Sequence, residues 1–224
     1  MQISSETLAI LKNFASINSN ILIDSGNTLK TISPVKNVLA EAVVEENFPT
    51  TFGVFDLNKF LSTINLFANP ILNFDDNYVT ISESGRTNSV KYYYSEPSLL
   101  TVPTKELNLP DFVINFELKQ TDFGKLTQAA STLNLPDLAV ETQGGKIALR
   151  AFDKSDPTTN DYSVVVGDCG ENESFCMIFK VENLKLLPGD YTVNICERSV
   201  AKFNHNDHDV NYCVALEPDT KYGN

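Results

Sequence analysis

The sequence predicts an α+β chain made of two similar halves. Two stretches carry that reading. Residues 11–33, LKNFASINSNILIDSGNTLKTIS, read as an amphipathic helix ending in Ile17-Asn18, then a strand, a glycine turn and a second strand. Residues 126–152, LTQAASTLNLPDLAVETQGGKIALRAF, read the same way, with Leu133-Asn134 at the helix end. A length of 224 residues suits one large domain or two small ones, and the repeat decides for two.

The first half opens with a helix over residues 6–17. Ser4 or Ser5 caps it, because a hydroxyl satisfies a free N–H of the first turn. Leu8, Leu11 and Ala15 recur at helical spacing with Phe14 beside them, while Lys12, Asn13 and Ser16 lie off that stripe. NILID, TLKTI, VLAEAVV and TFGVF follow as strands. A second helix over residues 57–67 is capped by Asp56. It sets Leu57, Phe60, Leu61, Ile64 and Phe67 on one side, and Lys59, Ser62 and Asn65 opposite. PILNFDD, YVTISES and SVKYYYS then read as three strands. EPSLLTVPTKELNLP, with three prolines and no clean period, is an extended connector. The predicted division is a first domain at 1–96, a connector at 97–110 and a second domain at 111–224.

The order then repeats. FVINFEL is a strand. A helix over residues 121–133 carries Phe123, Leu126, Ala130 and Leu133 on one face and Lys125, Gln128 and Ser131 on the other. LAVET, KIALRAF, YSVVVGD and SFCMIFK are strands, with the polar loop DKSDPTTND before the third. VENLKLL is a short fourth helix stopped by Pro188-Gly189. YTVNIC, VAKFN and NYCVALE complete the fold as strands, and the terminal DTKYGN is expected to be loose.

A net charge of −12 argues against a surface that grips nucleic acid everywhere, because phosphate affinity comes from Lys and Arg. It leaves room for a locally basic channel. The four cysteines fall in the second half without a C-x-x-C pair, which fits small half-buried residues in a reducing compartment. The first residues show neither a basic n-region nor an unbroken apolar core, so they do not read as a signal peptide. No apolar run approaches the roughly 18 residues of a membrane span. A soluble intracellular protein is expected.

Catalytic signatures are missing. His205 and His208, in FNHNDHD, form an H-x-x-H, but turn formers surround them and a polar hairpin tip is the expected setting. TQGGKI is a hairpin turn and not a phosphate cradle, because no helix follows it. Glu45-Glu46 and Asp75-Asp76 fall in predicted loops. No nucleophile elbow, Walker loop or zinc-protease motif is present. The expectation is a protein without catalytic residues, metal or cofactor. The lysines are more informative. Lys12, Lys59, Lys125 and Lys185 each lie on the outer side or near the end of a predicted helix. The acids Glu6, Asp56, Asp122 and Glu182 sit at helix starts, where they complement the dipole.

LAILKNFASINSNILIDSG, LKLLPGDYTVNI and AKFNHNDHDVNYCVALEPD resemble the DNA polymerase sliding clamps of T-even-type bacteriophages, in register over the whole chain. The resemblance implies two similar clamp-type domains per subunit, with sheets outside and helices lining a ring. It implies a homotrimer that encircles double-stranded DNA without sequence preference. The ring would tether the replicative DNA polymerase and be opened and closed by a clamp loader ATPase. It implies no active site, no membrane association and residence in the host cell cytoplasm. Lys12, Lys59, Lys119, Lys125 and Lys185 would face the DNA. Ser89, Val90, Tyr92 and Tyr94 of one subunit would meet Tyr162, Val164 and Val166 of the next. Leu99, Leu100, Val102, Ala215, Leu216 and Pro218 would form a partner pocket.

The chain departs from the family at one helix. The first helix of the second domain tends to be richly basic in such clamps, whereas here it offers Lys119 and Lys125, then Gln128 and Ser131. Two alternatives stand beside the clamp: a β-rich structural protein of a virus particle, also without an active site, and an enzyme built from scattered carboxylates.

Overall fold

The computed structural model describes residues 1–104, 108–171, 173–197 and 199–223. The chain separates into two compact units, Met1–Glu106 and Leu107–Asn224.

Unit 1 opens with helix α1 (Ser5–Ile17). The Ser4 hydroxyl accepts the Thr7 N–H at 3.2 Å, as an N-cap should. The buried stripe is Thr7, Ile10, Leu11, Phe14, Ala15 and Ile17, so it is rotated from the expected one and leaves Leu8 only half-buried. Strands β1 (Ile21–Ile23), β2 (Gly26–Ile32), β3 (Val38–Phe48) and β4 (Phe52–Val54) follow. β1 pairs with β4, and β2 pairs with β3, all antiparallel. Helix α2 (Leu57–Ile64) starts where the Asp56 carboxylate accepts the Lys59 N–H at 2.9 Å. It is a turn shorter than expected, although Phe67 is still buried. Strands β5 (Pro70–Phe74), β6 (Tyr78–Glu83) and β7 (Ser89–Tyr93) form a three-stranded meander with β7 on its edge.

Strand β8 (Phe112–Leu118) is the first strand of unit 2 and leads into helix α3 (Gln120–Leu133). Strands β9 (Asp137–Gln143) and β10 (Lys146–Phe152) turn on Gly144 and Gly145, both at positive φ as a two-residue hairpin loop requires. Then come β11 (Tyr162–Asp168), β12 (Phe175–Lys180), β13 (Tyr191–Cys196), β14 (Val200–His205), β15 (Val210–Ala215) and β16 (Lys221–Tyr222). One sheet has the order β11-β10-β9-β12-β16, and β15-β14-β13-β8 lie side by side.

The duplication is legible in the pairing itself. In each unit a helix precedes four strands, of which the first pairs with the fourth and the second with the third. Three further strands then form a meander: β5-β6-β7 in one unit, β13-β14-β15 in the other. Even the opening strand has its counterpart. β8 pairs with β13, and in unit 1 Met1 exchanges both backbone hydrogen bonds with Leu72 of β5 at 2.8 Å. The repeated Asn closes the first helix of each unit. Asn18 does so in extended conformation, and Asn134 in the left-handed one (φ 56°, ψ 43°).

Three expectations fail. The fourth helix is only a 3-10 turn, Val181–Asn183. The backbone of Leu187 is committed elsewhere. Its N–H donates to the Tyr212 hydroxyl at 3.2 Å, and its carbonyl accepts from the Tyr191 hydroxyl. The C-terminal segment is not loose, because β16 pairs with β12 and Gly223 N–H reaches Ser174 O at 2.8 Å. In α3 only Leu126 and Ala130 are buried, and Leu133 stands exposed.

Candidate nucleic-acid and partner interfaces

Lys12 on α1, Lys59 on α2 and Lys125 on α3 are exposed, and no described acid forms an ion pair with them. α1 and α2 pack on each other, so Lys12 and Lys59 belong to one helical layer of unit 1. Lys119 differs. It is the residue before α3, and its ammonium donates to Asp190 Oδ2 at 2.8 Å. The other Asp190 oxygen accepts the Gln120 N–H at 2.8 Å, so this acid also caps α3. Those two bonds hold the Asp190 carboxyl below its ordinary range, and Asp190 with Glu117 and Asp207 raises the Lys119 ammonium. Lys119 is therefore held protonated, with Asp190 as a counter-charge at the surface. Lys185 is exposed but follows the 3-10 turn, on no helix.

The two strands expected to join subunits are both edge strands, β7 of its meander and β11 of its sheet. Along β7, Val90 and Tyr92 turn inward; Tyr92 packs edge-on against Phe60 with ring centres 5.0 Å apart and donates to Asp56 O at 3.2 Å. Tyr94 lies just past the strand, 5.2 Å from Phe52. On the outer side Tyr93 is 65% exposed. β11 shows the same alternation: Tyr162, Val164 and Val166 are half-buried, and Val165 is 52% exposed. Cys169 follows β11 directly, half-buried and unpaired to another sulfur. Burial, then Glu173 and Asp168, push its thiol upward.

The expected partner pocket is only partly on display. In unit 1, Leu99 is 64% exposed, whereas the adjacent Leu100 is 9% exposed and lies against Gly53. Val102 is half-buried. In unit 2, Pro218 is exposed and Ala215 half-buried, but Leu216 is only 9% exposed. Leu100 and Leu216 are thus core residues of their own units. The neighbouring acids Glu217 and Asp219 both accept from Lys154 Nζ, at 3.2 and 2.9 Å, which fastens the segment after β15.

Sequence reasoning missed Asp190, Lys154 and the pair Asn18 and Asn20, whose side chains hold the backbone of Thr101. The signal for Asn18 was present, since the helix-ending Asn is part of the repeat. Among the described residues no group of three or more His, Cys, Asp or Glu is placed to hold a metal ion. His205 is buried and structural. Its Nε2 lies 3.1 Å from Pro188 O, and its Nδ1 accepts the N–H of Asp207 and His208. No helix among the described residues is long and apolar enough to cross a membrane.

A chain with one topology written twice matches the solved structure of proliferating cellular nuclear antigen from Entamoeba histolytica. The TM-score is 0.70 at 13% identity over 94% of both chains, so the fold is that of sliding clamps. The description "gp45 sliding clamp, C terminal" matches residues 115–218. The sliding clamp of Vibrio phage KVP40 is 31% identical over 91% of this chain and 94% of its own length. That of Enterobacteria phage T4 is 30% identical over 99% of both. The chain belongs to the phage sliding-clamp family. The particle-protein alternative is not favoured by a likeness that spans both units.

Proposed function

We propose that this protein is one subunit of a homotrimeric ring that encircles duplex DNA and tethers a replicative DNA polymerase. The observation that carries this reading is the clamp likeness over the whole duplicated chain. Membership of the sliding-clamp family supports DNA and a polymerase as partners. The protein itself breaks and makes no bond; a clamp loader ATPase would open and close the ring, in the cytoplasm of the host cell.

Lys12, Lys59 and Lys125 serve as the DNA-facing cations, touching phosphates without reading bases. Lys119, paired with Asp190 at the surface, and Lys185 are further candidates for that role. Subunits join through β7 and β11, whose open edges are otherwise an aggregation hazard. Partner contacts are proposed for each unit by itself, at Leu99 and Val102 in unit 1 and at Ala215 and Pro218 in unit 2. Leu100 and Leu216 are buried within their own units. Primer extension with the cognate polymerase and loader tests the reading. Products should lengthen several-fold when the protein is added, and unchanged product length overturns it.

A further inference from the structure

Leu99 and Leu100 are consecutive apolar residues with opposite fates, one displayed and one buried. A chain that has just left a strand has no ladder to impose such a choice. Here side chains impose it. The N–H of Thr101 donates to Asn20 Oδ1 at 2.8 Å, and the carbonyl of Thr101 accepts from Asn18 Nδ2 at 3.1 Å. Two asparagines thus stand in for a neighbouring strand, satisfying both backbone groups of one residue.

The grip is itself held. Asn18 is buried, and its amide also donates to Ile32 O at 2.9 Å. Its own Oδ1 accepts the Asn20 N–H at 3.1 Å. On the other flank, Ser95 N–H donates to Gly53 O at 2.9 Å, and a 3-10 turn spans Pro97–Leu99. Gly53 has no room for a side chain: a Cβ there would lie 2.3 Å from Ser95 O and 2.9 Å from Leu100 Cδ1. The segment 95–101 is therefore fixed at both ends, with Leu100 inserted and Leu99 held out between them.

We infer that Asn18 and Asn20 are positioning residues for partner binding, because they preorganise segment 95–101 so that Leu99 is presented without an ordering cost. This rests on the clamp reading and on a partner docking at the connector. A displayed apolar residue on a loose strap would lose affinity to the entropy of fixing it, whereas a clamped one does not. The two residues have different requirements. Asn20 supplies only an acceptor to Thr101, so Asp can replace it. Asn18 must donate to two carbonyls, and a carboxylate facing them would repel both.

The test uses the full-length protein and the cognate polymerase as the probe. Asn20→Ala should weaken polymerase binding about five- to ten-fold and raise the exchange rate of the Thr101 amide. Asn20→Asp should restore both, with trimer mass unchanged throughout and every variant measured well below its melting temperature. Asn18→Ala serves as a second variant, read by the same exchange and binding measurements at a temperature where it is fully folded. If Thr101 deprotects in Asn20→Ala while binding equals that of the wild type, the positioning role is overturned and the clamp reading stands. If the wild type itself does not bind the polymerase, both fall together.

Discussion

Glu46 is a buried acid of β3 whose carboxylate meets the start of α1, and its surroundings explain why it is tolerated. The Ser4 N–H and the Thr7 hydroxyl both donate to its carboxylate. Burial favours the neutral acid, but those bonds outweigh it and its carboxyl titrates below the usual range. A lowered native value means that its contribution is complete above the ordinary glutamate value. That contribution is lost as pH falls through the native one. Glu46→Gln should therefore cost about 1–3 kcal/mol near neutral pH, measured by urea unfolding, and the gap from wild type should narrow below about pH 4. Gly53→Ala should cost a similar 1–3 kcal/mol, because its methyl group meets a backbone oxygen that cannot yield cheaply. At this scale the sequence was least legible. Nothing in SLLTV tells which leucine is buried, and the answer depends on an asparagine more than eighty positions earlier. Leu216 is likewise buried, at 9% exposure, and nothing in the run ALEPD marks it as such.

At the scale of elements, α1, α2 and every strand of the first half were legible because apolar spacing and capping agreed there. The failures share a cause. A seven-residue helix is marginal by itself, and the backbone of Leu187 is bonded instead to two tyrosine hydroxyls. β16 is two residues long and polar, so no period could announce it. The edges of β7 and β11 yield a prediction of their own. Val165→Lys places a cation on the exposed face of β11, where the clamp reading seats β7 with its exposed Lys91. Light scattering should then give the subunit mass at micromolar concentration, with the melting curve unchanged. A persistent trimer would remove β11 from the joint. Reversal of Lys12 and Lys125 to Glu acts on another element, the helices. Trimer mass should persist, while product length in primer extension drops several-fold.

For the whole molecule, a net charge of −12 suits a role on DNA in which enclosure does most of the holding and a few local lysines the rest. Loaded protein should stay on nicked circular DNA through a high-salt wash in gel filtration and be lost once the circle is cut. Salt release from the intact circle would mean contacts, not enclosure, and would contradict the ring. Two domains were legible from the repeat, but ring formation was legible only through resemblance. The reason is physical: an open strand edge reads the same in sequence whether it meets water or another subunit. Cys169 gives that edge a further consequence. It is the residue just after β11, and Ser89 begins β7. In an antiparallel joint those two ends meet, so Ser89→Cys would bring a second thiol to each seam. Oxidation after loading should weld three subunits into one covalent hoop. On a closed plasmid the product would be a catenane of protein and DNA, two linked circles that boiling in detergent cannot part.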